Sequence, residues 1–323
     1  MPITDDIDAA VRRLRAGGLV AFPTETVYGL GADAANPEAV RRIFAVKGRP
    51  ADHPLIVHIG DAGMLTEWAR EIPPAALRLA ERFWPGPLTL ILRRGQAPLE
   101  VTGGQDSVGL RVPGHPVALD LLRRFGGGIA APSANRFGRV SPTRAEHVRD
   151  EFGETIDLIL AGGDCRVGLE STILSLVGEQ PVLLRPGAVA ASELEAVLGA
   201  PLAGQPMTGD VRAPGMLESH YAPDTRLLVC RLEQLAGTAR ELMERGLRIA
   251  VMTRTLSADD LPAGAHPHPM PAGAAEYGRQ LYASLRRLDD EDFDIIVVEQ
   301  PPDDEAWRAV NDRLGRASHG ASA

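Results

Sequence analysis

Residues 200–224 divide the chain into two patterns, and this division constrains the fold more than any other feature. Prolines and glycines punctuate the stretch and no hydrophobic period runs through it. Neither a helix nor a strand continues across such a sequence. Before it, short apolar strands and helices follow one another in irregular order; after it, strand and helix alternate cleanly. A chain of 323 residues suits two domains better than one. The sequence therefore reads as an α/β domain over residues 1–199, a linker over 200–224, a small parallel α/β domain over 225–316 and a disordered tail over 317–323.

In the first part, a helix over 5–16 is stopped by Gly17-Gly18, and a strand over 19–22 ends at Pro23. Asn36-Pro37-Glu38 supplies an N-cap, a proline at the first helical position and an acidic first turn. That helix runs to about Lys47, with Gly48 as its stop. Strands are predicted over 55–59, 88–92, 107–112, 128–131, 156–160, 171–177 and 182–184, and helices over 73–83 and 117–125. Thr143 to Glu146 and Ser192 to Glu195 read as capping boxes opening two further helices. This irregular mixture implies a mixed, twisted sheet. In the second part, strands over 227–230, 248–252 and 294–298 alternate with helices over 234–245, 275–288 and 305–314, which implies a parallel sheet. His266 and His268 fall in a proline-rich stretch and read as solvated loop residues. His115, His147 and His319 read as surface residues.

Lys47 is the only lysine among 34 basic residues. Arginine evidently serves wherever a generic positive charge is wanted, because exposed ion pairs tolerate either head group. A site needing a compact ammonium with three donors does not tolerate the planar guanidinium. The lone lysine therefore marks a candidate functional position, and Arg49 follows it two residues on. The net charge is −9, with −5 over residues 1–224 (22 basic, 27 acidic) and −4 over 225–323 (12 basic, 16 acidic). Neither part has the basic surplus of a tight, sequence-independent nucleic-acid binder. Cys165 and Cys230 form no disulfide framework and no zinc spacing, so reduced thiols are expected. The acidic start Met-Pro-Ile-Thr-Asp-Asp lacks signal-peptide character, and no apolar run approaches a membrane span of ~18 residues. A cytoplasmic protein that does not engage a membrane is expected.

The predicted loops of the first domain hold Thr24, Thr26, Ser133, Asn135 and Ser141, and near them in sequence stand Lys47, Arg49, His58, Arg111 and Arg185. Small hydroxyls with scattered fixed cations suit a polyanion: the cations balance charge and the hydroxyls supply directed donors. No carboxylate pair and no Ser/His/Asp spacing stands out. The set fits phosphate binding and transfer, in which positioning and electrostatics do most of the catalysis. Taken singly, each motif also fits a turn, a cap or a strand edge. Gly126-Gly127-Gly128 opens no helix and is no dinucleotide fingerprint.

The joint pattern resembles the YrdC-type L-threonylcarbamoyladenylate synthases. The resemblance rests on Pro23-Thr24-Glu25-Thr26-Val27-Tyr28-Gly29-Leu30-Gly31, Lys47-Gly48-Arg49-Pro50 with Pro54-Leu55, and Trp84-Pro85-Gly86-Pro87-Leu88-Thr89. It continues through Arg111-Val112-Pro113, Ala131-Pro132-Ser133-Ala134-Asn135 and Glu170-Ser171-Thr172-Ile173. Arg185-Pro186-Gly187, Pro214-Gly215-Met216 and His220-Tyr221-Ala222-Pro223 complete it. It covers nearly the whole chain and is similar to the longer form, in which a YrdC-like twisted mixed sheet is joined by a Pro/Gly-rich linker to a small Rossmann-like domain.

The resemblance implies that ATP, L-threonine and bicarbonate (or CO2) give threonylcarbamoyl-AMP and pyrophosphate, a nucleotidyltransferase reaction serving threonylcarbamoyladenosine modification of tRNA. It implies Lys47, Arg49, Ser133 and Asn135 as the catalytic tetrad. To ATP it assigns Arg49, His53, Ser107, Ser133, Ser141, Arg185 and Tyr221, and to threonine Thr26, His58, Arg111, Ala131 (through its backbone) and Ser171. His53 stands where many relatives carry asparagine, and Leu217-Glu218-Ser219 lacks the basic residues some relatives show. Tyr221 in the linker implies a lid over the nucleotide. Mg²⁺ is expected with the triphosphate, with no protein-built metal site. A downstream tRNA threonylcarbamoyl transferase is the expected partner, together with a weak tRNA contact. The alternative function is a non-catalytic double-stranded RNA or tRNA-binding module of the same fold, which the acidic balance opposes. Carbamoyl transfer from carbamoyl phosphate would call for an acylphosphatase-like segment or zinc-finger cysteines, and the chain has neither. For the second domain, lid control, partner docking and dimerisation all fit.

Overall fold

The computed structural model describes residues 3–203, 211–215 and 221–319. The chain forms two compact units, one of Met1–Phe137 with Ser141–Met216 and the other of Gly138–Val140 with Leu217–Ala323. The division falls inside the Pro/Gly-rich stretch. The excursion at 138–140 joins the second unit because Ala222 N–H donates to the Gly138 carbonyl at 2.9 Å, Arg139 pairs with Asp224 and Arg286 donates to the Val140 carbonyl.

The first unit is built on a mixed sheet. Its strand order is Ile3–Thr4, Leu158–Leu160, Val20–Phe22, Gly29–Asp33, Ile129–Ala130, Ile56–His58, Ser107–Arg111, Leu88–Arg94, Thr172–Ser175 and Val182–Arg185, with Ala69–Arg70 paired off Leu88–Arg94. Both faces are covered. Val20 and Phe22 pack with Ala10, Val11 and Leu14 of helix Ile7–Arg15 and with Leu121 and Leu122 of helix Pro116–Phe125. Leu19 and Ala21, on the opposite face, pack with Val40, Ile43 and Phe44 of helix Pro37–Lys47. The strand period of two thus feeds two apolar layers, and the strand reads as a continuous apolar run. The helix carrying Lys47 starts on Asn36, whose Oδ1 accepts from Glu38 and Ala39 N–H. It ends at Gly48 in the left-handed region, φ 63°, where glycine avoids a Cβ clash.

The second unit is a four-stranded parallel sheet in the order Arg226–Cys230, Ile295–Glu299, Ile249–Thr253 and His266–Pro269. The last strand corrects the loop expected at His266 and His268. It lies at the sheet edge, where prolines cost no ladder bond on the open side. Helix Arg308–His319 runs past the tail start expected at 317, and residues 320–323 lie outside the described residues. Two capping boxes are also corrected. Helix Ala145–Phe152 follows Arg144 with no side-chain cap, so Thr143 does not cap it. Helix Ala191–Leu198 follows Ala190, whose N–H donates to Glu193, so Ser192 lies inside the helix. Among the described residues no helix is long and apolar enough to cross a membrane.

Candidate active site

The segment Thr24 to Gly29 is the wall on which the site is assembled. It follows strand Val20–Phe22 and turns tightly because Thr24 Oγ1 donates to the Val27 carbonyl at 2.6 Å and accepts from Thr26 and Val27 N–H at 3.2 Å each. Such hydroxyl-to-backbone bonds are what threonine offers a turn. Strand Gly29–Asp33 then begins. A Cβ on Gly31 would lie 2.8 Å from both Ile129 and Phe22, so only glycine lets this strand sit so close to its neighbours.

On one side of this wall stands Arg111, at the end of strand Ser107–Arg111. Its Nη1 donates to Thr26 Oγ1 at 3.0 Å and its Nε to the Gly86 carbonyl at 3.2 Å. Its Nη2 lies 2.7 Å from Glu25 Oε1. His58 sits opposite Arg111 in the parallel register. Burial, reinforced by the Arg111 charge, pushes its pKa down to about 3, so the ring is neutral at physiological pH. Thr26, His58 and Arg111 are therefore brought together.

On the other side, Gly29 pairs with Ser133 as an isolated bridge, and Ala134 N–H donates to the Tyr28 carbonyl at 2.8 Å. Lys47 reaches this loop from the end of its helix. Its Nζ donates to the Ser133 carbonyl at 2.6 Å and also to the Asn135 carbonyl. The side chain is buried, and burial followed by the Arg49 charge pulls its pKa well below the usual lysine value. Two convergent carbonyls explain the lone lysine: a compact ammonium fits between them and a planar fork does not. Arg49 Nη2 donates to the Pro54 carbonyl at 3.0 Å, and its guanidinium stands 5.8 Å from the Phe137 ring centre. His53 meets the same ring edge-on at 5.4 Å, and burial and Arg49 hold its pKa down. Lys47, Arg49, His53, Ser133 and Asn135 thus form a second group on the same wall.

Two further pairs involve residues to which the resemblance gives roles. Arg185 donates to the Ser171 carbonyl through Nε (3.1 Å) and Nη2 (2.9 Å) and to Ser171 Oγ at 3.2 Å, while Ser171 Oγ also meets Thr89 Oγ1 at 2.7 Å. Ser141 Oγ donates to the buried Glu170 at 2.6 Å, next to Pro142, whose carbonyl accepts from Tyr28 N–H at 2.9 Å. Ala131 N–H donates to the Ile56 carbonyl at 2.9 Å, which leaves only its carbonyl for a ligand. Ser107 opens the strand that Arg111 closes, so the two stand at opposite ends, about 13 Å apart at the usual strand rise. Tyr221 belongs to the second unit, with φ 64° and its buried ring 5.8 Å from that of Tyr282 and 5.3 Å from the Arg313 guanidinium carbon. His220 and Leu217-Glu218-Ser219 lie outside the described residues.

Sequence reasoning passed over Glu25 and Glu170, both buried carboxylates. Each sits between or beside residues that did receive roles, which was the available signal. It also placed His115 on the surface. His115 is buried, its Nδ1 accepts from Val117 N–H at 3.2 Å and it caps helix Pro116–Phe125.

Comparison with known proteins places this wall in context. A family model described as "Telomere recombination", for the Sua5, YciO and YrdC proteins, matches residues 12–187. A model described as the C-terminal domain of threonylcarbamoyl-AMP synthase matches residues 189–319. The threonylcarbamoyl-AMP synthase of Pyrococcus abyssi is 41% identical over 320 residues, 94% of this chain and 92% of that protein. This chain belongs to the threonylcarbamoyl-AMP synthase family. The family's Bacillus subtilis member is also 41% identical, over 97% of this chain and 93% of its own. Among solved structures, that of P. abyssi Sua5 complexed with L-threonine superposes with a TM-score of 0.91 at 39% identity, covering 99% of this chain and 96% of that one. Escherichia coli YciO, at 26% identity and a TM-score of 0.52, covers 58% of this chain and 92% of that one. The expected α/β architecture, with a parallel C-terminal sheet, is thereby borne out.

Proposed function

We propose that this chain condenses L-threonine, bicarbonate and ATP into threonylcarbamoyl-AMP and pyrophosphate, the activated donor for threonylcarbamoyladenosine in tRNA. The observation that carries this reading is the shared wall. Thr26 holds Arg111, and three residues on Gly29 holds the Ser133 loop that Lys47 clamps. An amino-acid side and a nucleotide side therefore stand next to one another on a single short segment.

In this reading Arg111 grips the threonine carboxylate, because a guanidinium offers paired donors. Thr26, the Ala131 carbonyl and Ser171 supply directed contacts, and neutral His58 adds no competing charge. The threonine amine loses protons and its nitrogen bonds to the carbon of CO2, water leaving where bicarbonate is the source, to give a carbamate; a carbamate oxygen then bonds to the α-phosphorus of ATP as the bond to pyrophosphate breaks. Negative charge grows on the phosphoryl oxygens, which Arg49 and Arg185 face with fixed positive charge. Lys47 acts by holding the Ser133 and Asn135 backbone in place. Ser107, Ser141 and His53 belong to the nucleotide side. Among the described residues no group of three or more His, Cys, Asp or Glu side chains is placed to hold a metal ion. Mg²⁺ would then arrive on the triphosphate, keeping water and phosphate oxygens as ligands. The product passes to a tRNA threonylcarbamoyl transferase in the cytoplasm.

The test is pyrophosphate release from ATP. Release is expected with threonine and bicarbonate both present, and only background with either omitted. Release independent of threonine would refute the reading.

A further inference from the structure

Glu25 stands between two threonines in the wall segment, and its carboxylate is built against the guanidinium that the proposed reaction needs. Its side chain is 10% exposed and that of Arg111 4%, with 2.7 Å between Oε1 and Nη2. Its Oε2 accepts from Gly114 N–H at 2.9 Å, and its carbonyl accepts from Val167 N–H at 2.8 Å. The position is thus fixed at both ends. A buried ion pair is by itself poor stabilisation, because desolvating two charges offsets their attraction. The contact is also a charge contact more than a finished hydrogen bond: neither Glu25 Oε1 nor Arg111 Nη2 has a well-aligned hydrogen-bond partner among the described residues. What the pair does achieve is a net charge of zero at the place where a carboxylate is to bind. The surrounding titratable groups leave that balance alone. His58 is held neutral, burial also lowers the pKa of His115, and burial raises that of the Cys165 thiol.

We propose that Glu25 makes the Arg111 site selective for zwitterionic α-amino acids by cancelling the guanidinium charge. This rests on the threonine-binding reading above. A zwitterion carries no net charge, so its entry leaves the buried site neutral. A plain carboxylate would leave one negative charge uncompensated and a plain amine one positive charge, and either is costly in a low-dielectric pocket. Specificity of this kind comes from rejecting the wrong ligand, not from an added contact with the right one. Glu25 need not touch the substrate. It is a positioning residue that acts through Arg111.

The test compares threonine with its hydroxy-acid analogue (a hydroxyl in place of the ammonium) and its amino alcohol (the carboxylate reduced), each as a competitor of threonine in the pyrophosphate assay. Wild-type protein is expected to bind both analogues at least about a hundredfold more weakly than threonine. In Glu25→Gln, the hydroxy acid should gain at least about tenfold relative to threonine while the amino alcohol gains nothing, and Glu25→Asp should restore the wild-type ranking. A merely structural role would change kcat or folding and leave the ratio of the two competitors alone. If Glu25→Gln does not fold, the wild-type ranking still decides: a hydroxy acid binding within a few-fold of threonine overturns the proposal. An unchanged ratio in a folded Glu25→Gln overturns it too. Failure of threonine itself to bind wild-type protein by calorimetry would overturn the functional reading and this proposal together, and so is recognised separately.

Discussion

Both units place polar side chains at the ends of strands or helices, yet they use them in opposite ways. In the second unit the end of strand Ile295–Glu299 is closed on itself. Glu299 is buried and accepts from Arg254 N–H at 2.6 Å, Thr255 N–H at 2.9 Å and Thr255 Oγ1 at 2.6 Å. The Arg254 guanidinium lies 3.8 Å from the same carboxylate and 5.5 Å from the Trp307 ring centre. The backbone donors that a nucleotide-binding crevice would turn to a phosphate are already turned to an internal anion. In the first unit Lys47 and Arg185 point at carbonyl and hydroxyl oxygens, which satisfy their hydrogen bonds without cancelling their charge. Among the described residues neither has an ion-pair partner. The partners that fold against a cation therefore decide whether it meets an opposing charge: a carboxylate at Arg254 and at Arg111, neutral oxygens at Lys47 and Arg185.

This contrast can be broken or sharpened by substitution. Lys47→Arg puts a planar fork between two fixed carbonyls, and turnover in the pyrophosphate assay should fall at least about a hundredfold, or roughly 2.7 kcal/mol, with the circular dichroism spectrum unchanged. Near-wild-type turnover would return Lys47 to an ordinary buried cation. Glu299→Gln should cost about 2 kcal/mol of stability by weakening a buried, triply bonded acceptor, read as a lower denaturation midpoint, while the KM for ATP stays put. A shifted KM would mean that the second unit's sheet end takes part in nucleotide binding after all. Arg111→Lys, with its point charge in place of a paired donor, should raise the KM for threonine about tenfold with a smaller change in kcat.

The most gradual effect belongs to pH. The folded-state pKa of His58 is lowered to about 3, below an unfolded value of about 6.5. The unfolded chain therefore takes up the proton first as pH falls. Stability should decline through the window from about 6.5 to about 3, by at most about 1.4 kcal/mol per pH unit from this residue. His58→Gln should flatten that part of a denaturation-against-pH curve. An identical slope in the two proteins would show that the imidazole is more solvated than its surroundings suggest.

Much of this architecture was legible in the residues. Asn36-Pro37-Glu38 and Gly48 bracket a helix that runs from Pro37 to Lys47, because caps and a positive-φ stop act within a few residues. The lone lysine marked a candidate functional position, and the structure shows it donating to the Ser133 carbonyl. Failures came where a local signal met a tertiary competitor. Thr143 has the sequence of a cap, but its N–H donates to His147 Nδ1 at 3.3 Å and its carbonyl accepts from Cys165 N–H at 3.0 Å, and the helix begins after Arg144 instead. His266 to Pro269 looked like a loop on composition and became a strand because the neighbouring strand Ile249–Thr253 offered a free edge.

Local order, then, was written in the chain only in part: helix Pro37–Lys47 has its start and its stop in its own residues, while two other helix starts and the strand His266–Pro269 do not. Which groups meet across the fold was decided only on folding. Lys47 finds its carbonyls 86 and 88 residues away, and Arg111 meets the hydroxyl of Thr26 from 85 residues off. Caps and periods depend on neighbours in sequence. Burial and charge balance depend on neighbours in space, and no spacing along the chain specifies those.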